Sequence, residues 1–169
     1  MSTTGTSPED FKKLDYKPIV SPAFGLVFAA PASWRKGDDA RYFQVLDPDS
    51  GAEFTASAYA ANGLFLEQWA TLRNSVVAQE MPYLKCVRDS YGMKGANVSG
   101  IARDYRGVFP DSGLERHYLV LCLRTEQFLI SCTLTARVED FAAREVFYRW
   151  LLQNKLDIYE VGGAKADRA

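Results

Sequence analysis

An apolar run from Phe24 to Phe28, closed at Pro31, predicts a first strand, because proline has no amide donor to continue a ladder. Tyr42 to Leu46 and Ala52 to Tyr59 flank Asp47 to Gly51, a stretch of turn-forming residues. In the second run Phe54, Ala56 and Ala58 alternate with Glu53, Thr55 and Ser57, which predicts a hairpin with one wet face. From Leu64 to Glu80 the period turns helical. Phe65, Trp69, Leu72 and Val76 fall on one stripe, and Glu67, Gln68, Thr71, Arg73 and Asn74 lie opposite. Asn62 is a candidate N-cap, and Met81 and Pro82 close the helix.

Four strand candidates follow in a row: Tyr83 to Tyr91, Val98 to Phe109, Glu115 to Arg124 and Gln127 to Thr135. Their short connections favour antiparallel neighbours, since a parallel crossover needs about a dozen residues or more. Val138 to Asn154 predicts a second helix, with Glu139 and Asp140 near its positive end, and Leu156 to Val161 predicts an edge strand. The order gives an α+β domain: a mainly antiparallel sheet of six to seven strands flanked by two long helices. A two-residue tip at Thr125 and Glu126 would set Leu123 beside Phe128, Leu121 beside Ile130 and Leu119 beside Cys132 on the core face. Cys122 and Cys132 then point to opposite sides and cannot form a disulfide.

The chain of 169 residues suits one domain, expected over residues 15–161 between flexible tails at 1–14 and 162–169. Hydrophobic residues at 47% allow a sizeable core. A formal charge of −1 removes the electrostatic case for a general nucleic-acid binder. No run approaches the ~18 apolar residues of a membrane span, and the start lacks an export signal, so a cytoplasmic protein without membrane insertion is expected. Three cysteines without metal spacing and a single histidine, His117, point to no metal and no cofactor.

His117 and Cys132 are the one pair that suggests nucleophilic catalysis. The proposed register puts them diagonally on a face lined by Leu119, Leu121, Phe128, Ile130 and Leu134, where a thiol is desolvated and inert. No catalytic residue is assigned. Lys85, Arg88, Lys94, Arg103, Arg106, Arg116 and Arg124 interleave with Tyr83, Tyr91 and Tyr105, but Asp89, Asp104, Asp111 and Glu115 among them describe a solvated face rather than a nucleic-acid site. The second helix carries more apolar residues than one sheet contact uses, Phe141, Val146, Phe147, Tyr148, Trp150, Leu151 and Leu152. Either Phe11 to Val20 covers the excess, or Phe147, Tyr148, Trp150 and Leu151, with Tyr118 and Arg116, meet a partner.

Phe24, Phe28, Pro31 and Trp34, followed by Tyr42 and Phe43, resemble the opening of PsbP-like domains, a superfamily that includes the extrinsic photosystem II subunit, Mog-type proteins, DcrB lipoproteins and Eag-type chaperones. Pro31 would end the ladder and Trp34 would lid one end of the sheet. The resemblance implies a non-enzymatic domain that binds another polypeptide, an adaptor or chaperone linked to bacterial type VI secretion, its partner a secreted effector or a second copy of the chain. Two alternatives stand beside it: a small-molecule domain or enzyme with a pocket around His117 and Tyr118, and a toxin immunity protein.

Overall fold

The computed structural model describes residues 10–38, 43–108, 110 and 112–161. Ten strands form two antiparallel sheets. The strands are β1 (Tyr16–Ser21), β2 (Leu26–Pro31), β3 (Arg35–Lys36), β4 (Phe43–Leu46), β5 (Glu53–Ala60), β6 (Leu84–Met93), β7 (Gly100–Val108), β8 (Glu115–Arg124), β9 (Phe128–Arg137) and β10 (Leu156–Ile158). The larger sheet has the order β3-β4-β5-β9-β8-β7-β6, and the smaller β1-β2-β10. Helix α1 (Leu66–Glu80) separates β5 from β6, while α2 (Val138–Ala143) and α3 (Glu145–Asn154) follow β9. Among the described residues no helix is long and apolar enough to cross a membrane.

The layers follow from the alternation of side chains. One face of the large sheet presents Phe54, Leu119, Leu121, Ile130, Cys132 and Leu134, all buried beneath the small sheet and α2–α3. Phe28 of β2 stacks on Phe54 with ring centroids 4.3 Å apart, and Trp34, 3% exposed, packs edge-on against Phe28. The other face carries Cys122, Leu129, Val120, Tyr118 and Tyr105 against α1. Trp69 anchors that helix, its indole N–H donating to the Ile130 carbonyl at 3.0 Å. The β4–β5 hairpin turns as expected, with Asp47 accepting from the Asp49 amide at 3.0 Å and the Ser50 hydroxyl at 2.6 Å.

Several sequence expectations change. The chain packs from Phe11, not Asp15: Phe11–Lys13 form a 3-10 turn, and the Phe11 ring, 3% exposed, lies 5.3 Å from Phe147 and 4.9 Å from Trp150. Residues 16–21, expected as covering chain, are strand β1; Pro18 sits there without cost because β1 is an edge. Gly25 takes a φ of +74° in the turn before β2, where Phe24 was expected within the strand. The expected second helix is broken at Arg144, whose φ of −121° leaves the helical region. Asn62 lies in the left-handed region, and Phe65 takes the N-cap position of α1, its amide donating to Gln68 Oε1 at 2.8 Å. Phe109, Asp111 and Tyr42 fall outside the described residues, as do 1–9 and 162–169 of the expected tails.

The β8–β9 register is two residues from expectation: Leu123 faces Ile130, Leu121 faces Cys132 and Leu119 faces Leu134. The turn runs through Thr125, whose Oγ1 accepts from the Phe128 amide at 2.9 Å. A shift of two preserves parity, so each side chain keeps its face, and Cys122 and Cys132 do lie on opposite sides.

Candidate binding face

The expected partner face on the second helix is occupied by the chain itself. Tyr148 and Leu151 are wholly buried in the core. Phe147 and Trp150 are half-buried under Phe11, and Tyr16 closes on Trp150 at 5.8 Å between centroids. Covering by the N-terminal segment, one of the two outcomes the sequence left open, is the arrangement observed. Tyr118 is 5% exposed beneath α1, and Arg116 is half-buried at the end of β8, bonded to the Thr135 hydroxyl at 3.2 Å and the Gly51 carbonyl at 3.1 Å.

His117 and Tyr118, neighbours on one strand, point to opposite faces and share no pocket. His117 lies beside Ala136 and Cys132 beside Leu121, two rungs farther along, so the thiol and imidazole do not meet. The His117 ring is 6% exposed, stacks on Phe141 at 3.8 Å between centroids, and donates from Nε2 to Asp104 Oδ2 at 2.5 Å. Asp104, with no exposure, also accepts from Arg149 Nη2 at 2.8 Å and from the Tyr91 hydroxyl. Arg149 reaches back along α3 to Glu145 at 2.8 Å. Burial pushes the Asp104 carboxyl upward, but hydrogen bonds from His117, Tyr91 and Arg149 outweigh it and hold its pKa below the ordinary value. Burial likewise raises the Tyr91 hydroxyl, reinforced by Asp104. This cluster ties α3 to β6, β7 and β8. The sequence placed Asp104 among solvated charges because its neighbours Arg103 and Arg106 read that way. Its inward position in the β7 alternation, near His117 across the strand pair, was the available signal.

The thiols of Cys122 and Cys132 are equally closed, while Cys86 is exposed. Burial pushes Cys122 up to about 12, with Arg73 acting against it, and raises Cys132 as well. Among the described residues no cluster of three His, Cys, Asp or Glu side chains is placed to hold a metal.

The open surface lies on the other side of the large sheet. Helix α1 packs chiefly on β7, β8 and part of β9, while on the same face Thr55 and Ser57 of β5 and Gln44 and Leu46 of β4 are only half-buried and Tyr59 is exposed. Its stripe is rotated from expectation: Trp69, Ala70 and Val77 are buried, while Phe65 is 67% and Leu72 46% exposed. At about 100° per residue, Phe65, Leu72 and Val76 share a flank next to Trp69, and Tyr59 of β5 packs edge-on against Trp69 at 5.7 Å. That flank therefore faces β5 and β4. Arg73, expected on the solvent face, turns the same way and donates from Nε to Ser131 Oγ at 3.0 Å. Thr55 pairs with Thr133 and Ser57 with Ser131, giving the strip a hydroxyl floor. Cross-strand pairing also sets Arg35 beside Leu46, and Arg116 ends the strip, so among the described residues arginines outnumber the one facing acid, Glu53. Tyr59, 54% exposed, Phe65 and Leu72 thus form an apolar rim beside a polar, basic floor.

The opposite end of the sheet is a protected edge. β6 shifts register between Cys86 and Arg88 and again before Tyr91, irregularities that discourage pairing with another strand. Arg88 of β6 lies over the Tyr91 ring at 3.7 Å, and Asp89 of β6 pairs with Arg103 of the neighbouring β7 at 3.2 Å.

No protein-family model and no curated protein sequence matches this chain. Its architecture does match solved structures. Cyanobacterial PsbP (CyanoP) from Synechocystis aligns with a TM-score of 0.63 at 13% identity, covering 94% of this chain and 98% of its own. A Mog1 variant aligns at 0.60 and 8% identity, covering 88% and 98%. LpqN of Mycobacterium tuberculosis, a protein involved in cell envelope biogenesis, aligns at 0.52 and 15% identity, covering 86% and 91%. Identities this low speak for architecture, and the near-complete coverage of both chains carries it: the chain has the PsbP-like α+β fold.

Proposed function

We propose that the chain is a non-enzymatic polypeptide-binding protein, an adaptor or chaperone, and that it binds through the strip between α1 and β5. One observation carries the reading: the apolar stripe of α1 is rotated so that Trp69 enters the core while Phe65 and Leu72 stay exposed beside Tyr59 of β5. Large apolar side chains grouped at a polar, basic floor are the anatomy of a recognition surface rather than of a solvated helix. The floor's arginines favour a partner segment that carries carboxylates between its apolar anchors. A secreted effector handled in the cytoplasm is the partner class in keeping with this reading.

Affinity capture from the native host with wild-type protein and with the Phe65→Glu, Leu72→Glu double variant tests it. The expected result is one specific polypeptide retained by the wild type and lost from the variant at unchanged melting temperature. A co-purifying metabolite with no polypeptide, or a polypeptide retained equally by both proteins, overturns it.

A further inference from the structure

Beneath the α1 flank lies a depression of about 220 Å³ lined by Thr55, Ser57, Arg73, Ser131 and Thr133. We propose that it is an oxoanion site, taking a phosphate-type group on the Arg73 guanidinium and the surrounding hydroxyls. The inference goes beyond polypeptide binding and does not depend on it.

Three observations carry it. First, the Thr55–Thr133 and Ser57–Ser131 pairs place four hydroxyls on one face of adjacent strands. Strand geometry spaces them about 5 Å across and about 7 Å along the sheet, so a tetrahedral group resting between them can accept from more than one. Second, the Nε bond to Ser131 fixes the plane of the Arg73 fork over that floor. Its terminal nitrogens have no acceptor among the described residues. Third, Arg73 has no counter-charge there, whereas Arg103, Arg137, Arg144 and Arg149 each pair with a carboxylate. A half-buried, oriented guanidinium without an acid, ringed by donors and lined by no carboxylate, selects an anion over a cation. Phosphate, with more acceptor oxygens than a carboxylate, uses more of the ring. The acid nearest along the strip, Glu53, lies one rung beyond Thr55 and accepts from Gln44.

The test is a titration of ¹⁵N-labelled full-length protein with inorganic phosphate and, separately, with acetate, read on the Arg73 Nε–H resonance and the Ser57, Ser131 and Thr133 amides. Phosphate should saturate these shifts at a midpoint at least threefold below that of acetate. Arg73→Ala should weaken the phosphate midpoint more than tenfold, Arg73→Lys should weaken it less, and Arg88→Ala, at the far edge of the sheet, should leave it unchanged. The Thr55→Val, Thr133→Val variant, which keeps the β-branched shape, should weaken it without removing it. Non-saturating shifts, equal midpoints for phosphate and acetate, or an unchanged midpoint in Arg73→Ala overturn the proposal. Phosphate shifts are read without a polypeptide and capture is read without phosphate, so the two readings fail separately.

Discussion

Replacing Asp104 with alanine should be the most damaging single change within the polar core. The carboxylate has no exposure and receives hydrogen bonds from His117, Tyr91 and Arg149, so its removal leaves one buried and two half-buried donors without their acceptor. Breaking a buried pair by deleting one partner costs about 3–5 kcal/mol. Arg149 keeps 18% side-chain exposure, so water and Glu145 take over part of its solvation, and the expected loss lies near the lower bound, about 3 kcal/mol. For a domain of this size each kcal/mol moves the melting temperature by roughly 2–4 °C, so a fall of about 6–12 °C is expected. The pH dependence gives a second reading. The folded carboxyl is held below its ordinary value of 3.8, so its contribution is fully present above that value and is lost as pH falls toward the lower folded value. Asp104→Asn should therefore flatten the acid limb of the stability profile. Urea unfolding at pH 7 and across the acid range measures both. A loss under about 1 kcal/mol for Asp104→Ala, or an acid limb unchanged in Asp104→Asn, would refute the reasoning.

Phe11→Ala should cost about 3 kcal/mol in urea unfolding, since the ring fills the space over Phe147 and Trp150; an unchanged midpoint would show the N-terminal segment to be dispensable. Gly25→Ala should cost at least about 2 kcal/mol, because a Cβ there meets the Tyr159 carbonyl oxygen at 2.1 Å and the φ of +74° strains any other residue. Under native conditions a thiol reagent at pH 8 should modify Cys86 alone and all three cysteines only after denaturation, because burial holds Cys122 and Cys132 as thiols.

Local signals carried most of the architecture. The hairpin at Asp47, the helix ending before Pro82 and the run of antiparallel strands all rest on turn residues and periodicity, which act within a few residues. The β8–β9 register slipped because Thr125 closes the turn with its own hydroxyl, which the residue pattern does not announce, yet parity survived because the apolar face demanded it. β1 escaped notice through Pro18, an edge-strand residue that reads as a breaker. Nothing in the residues around Arg144 signals the break between α2 and α3. The binding strip was half visible. Periodicity groups Phe65, Trp69, Leu72 and Val76, but it states only that residues share a side, and of these only Trp69 is buried with Ala70 and Val77. The direction of that side was set by Trp69 reaching Ile130 and Arg73 reaching Ser131, contacts about sixty residues apart in the chain.

Site-specific photocrosslinking in the native host reads the location of the partner surface most directly. A benzophenone side chain at Phe65 or Leu72 should yield a discrete adduct with one polypeptide, whereas the same group at Val146, which is 62% exposed on the far layer, should yield none. Equal adducts from Val146, or no polypeptide adduct from either α1 position, would contradict the account.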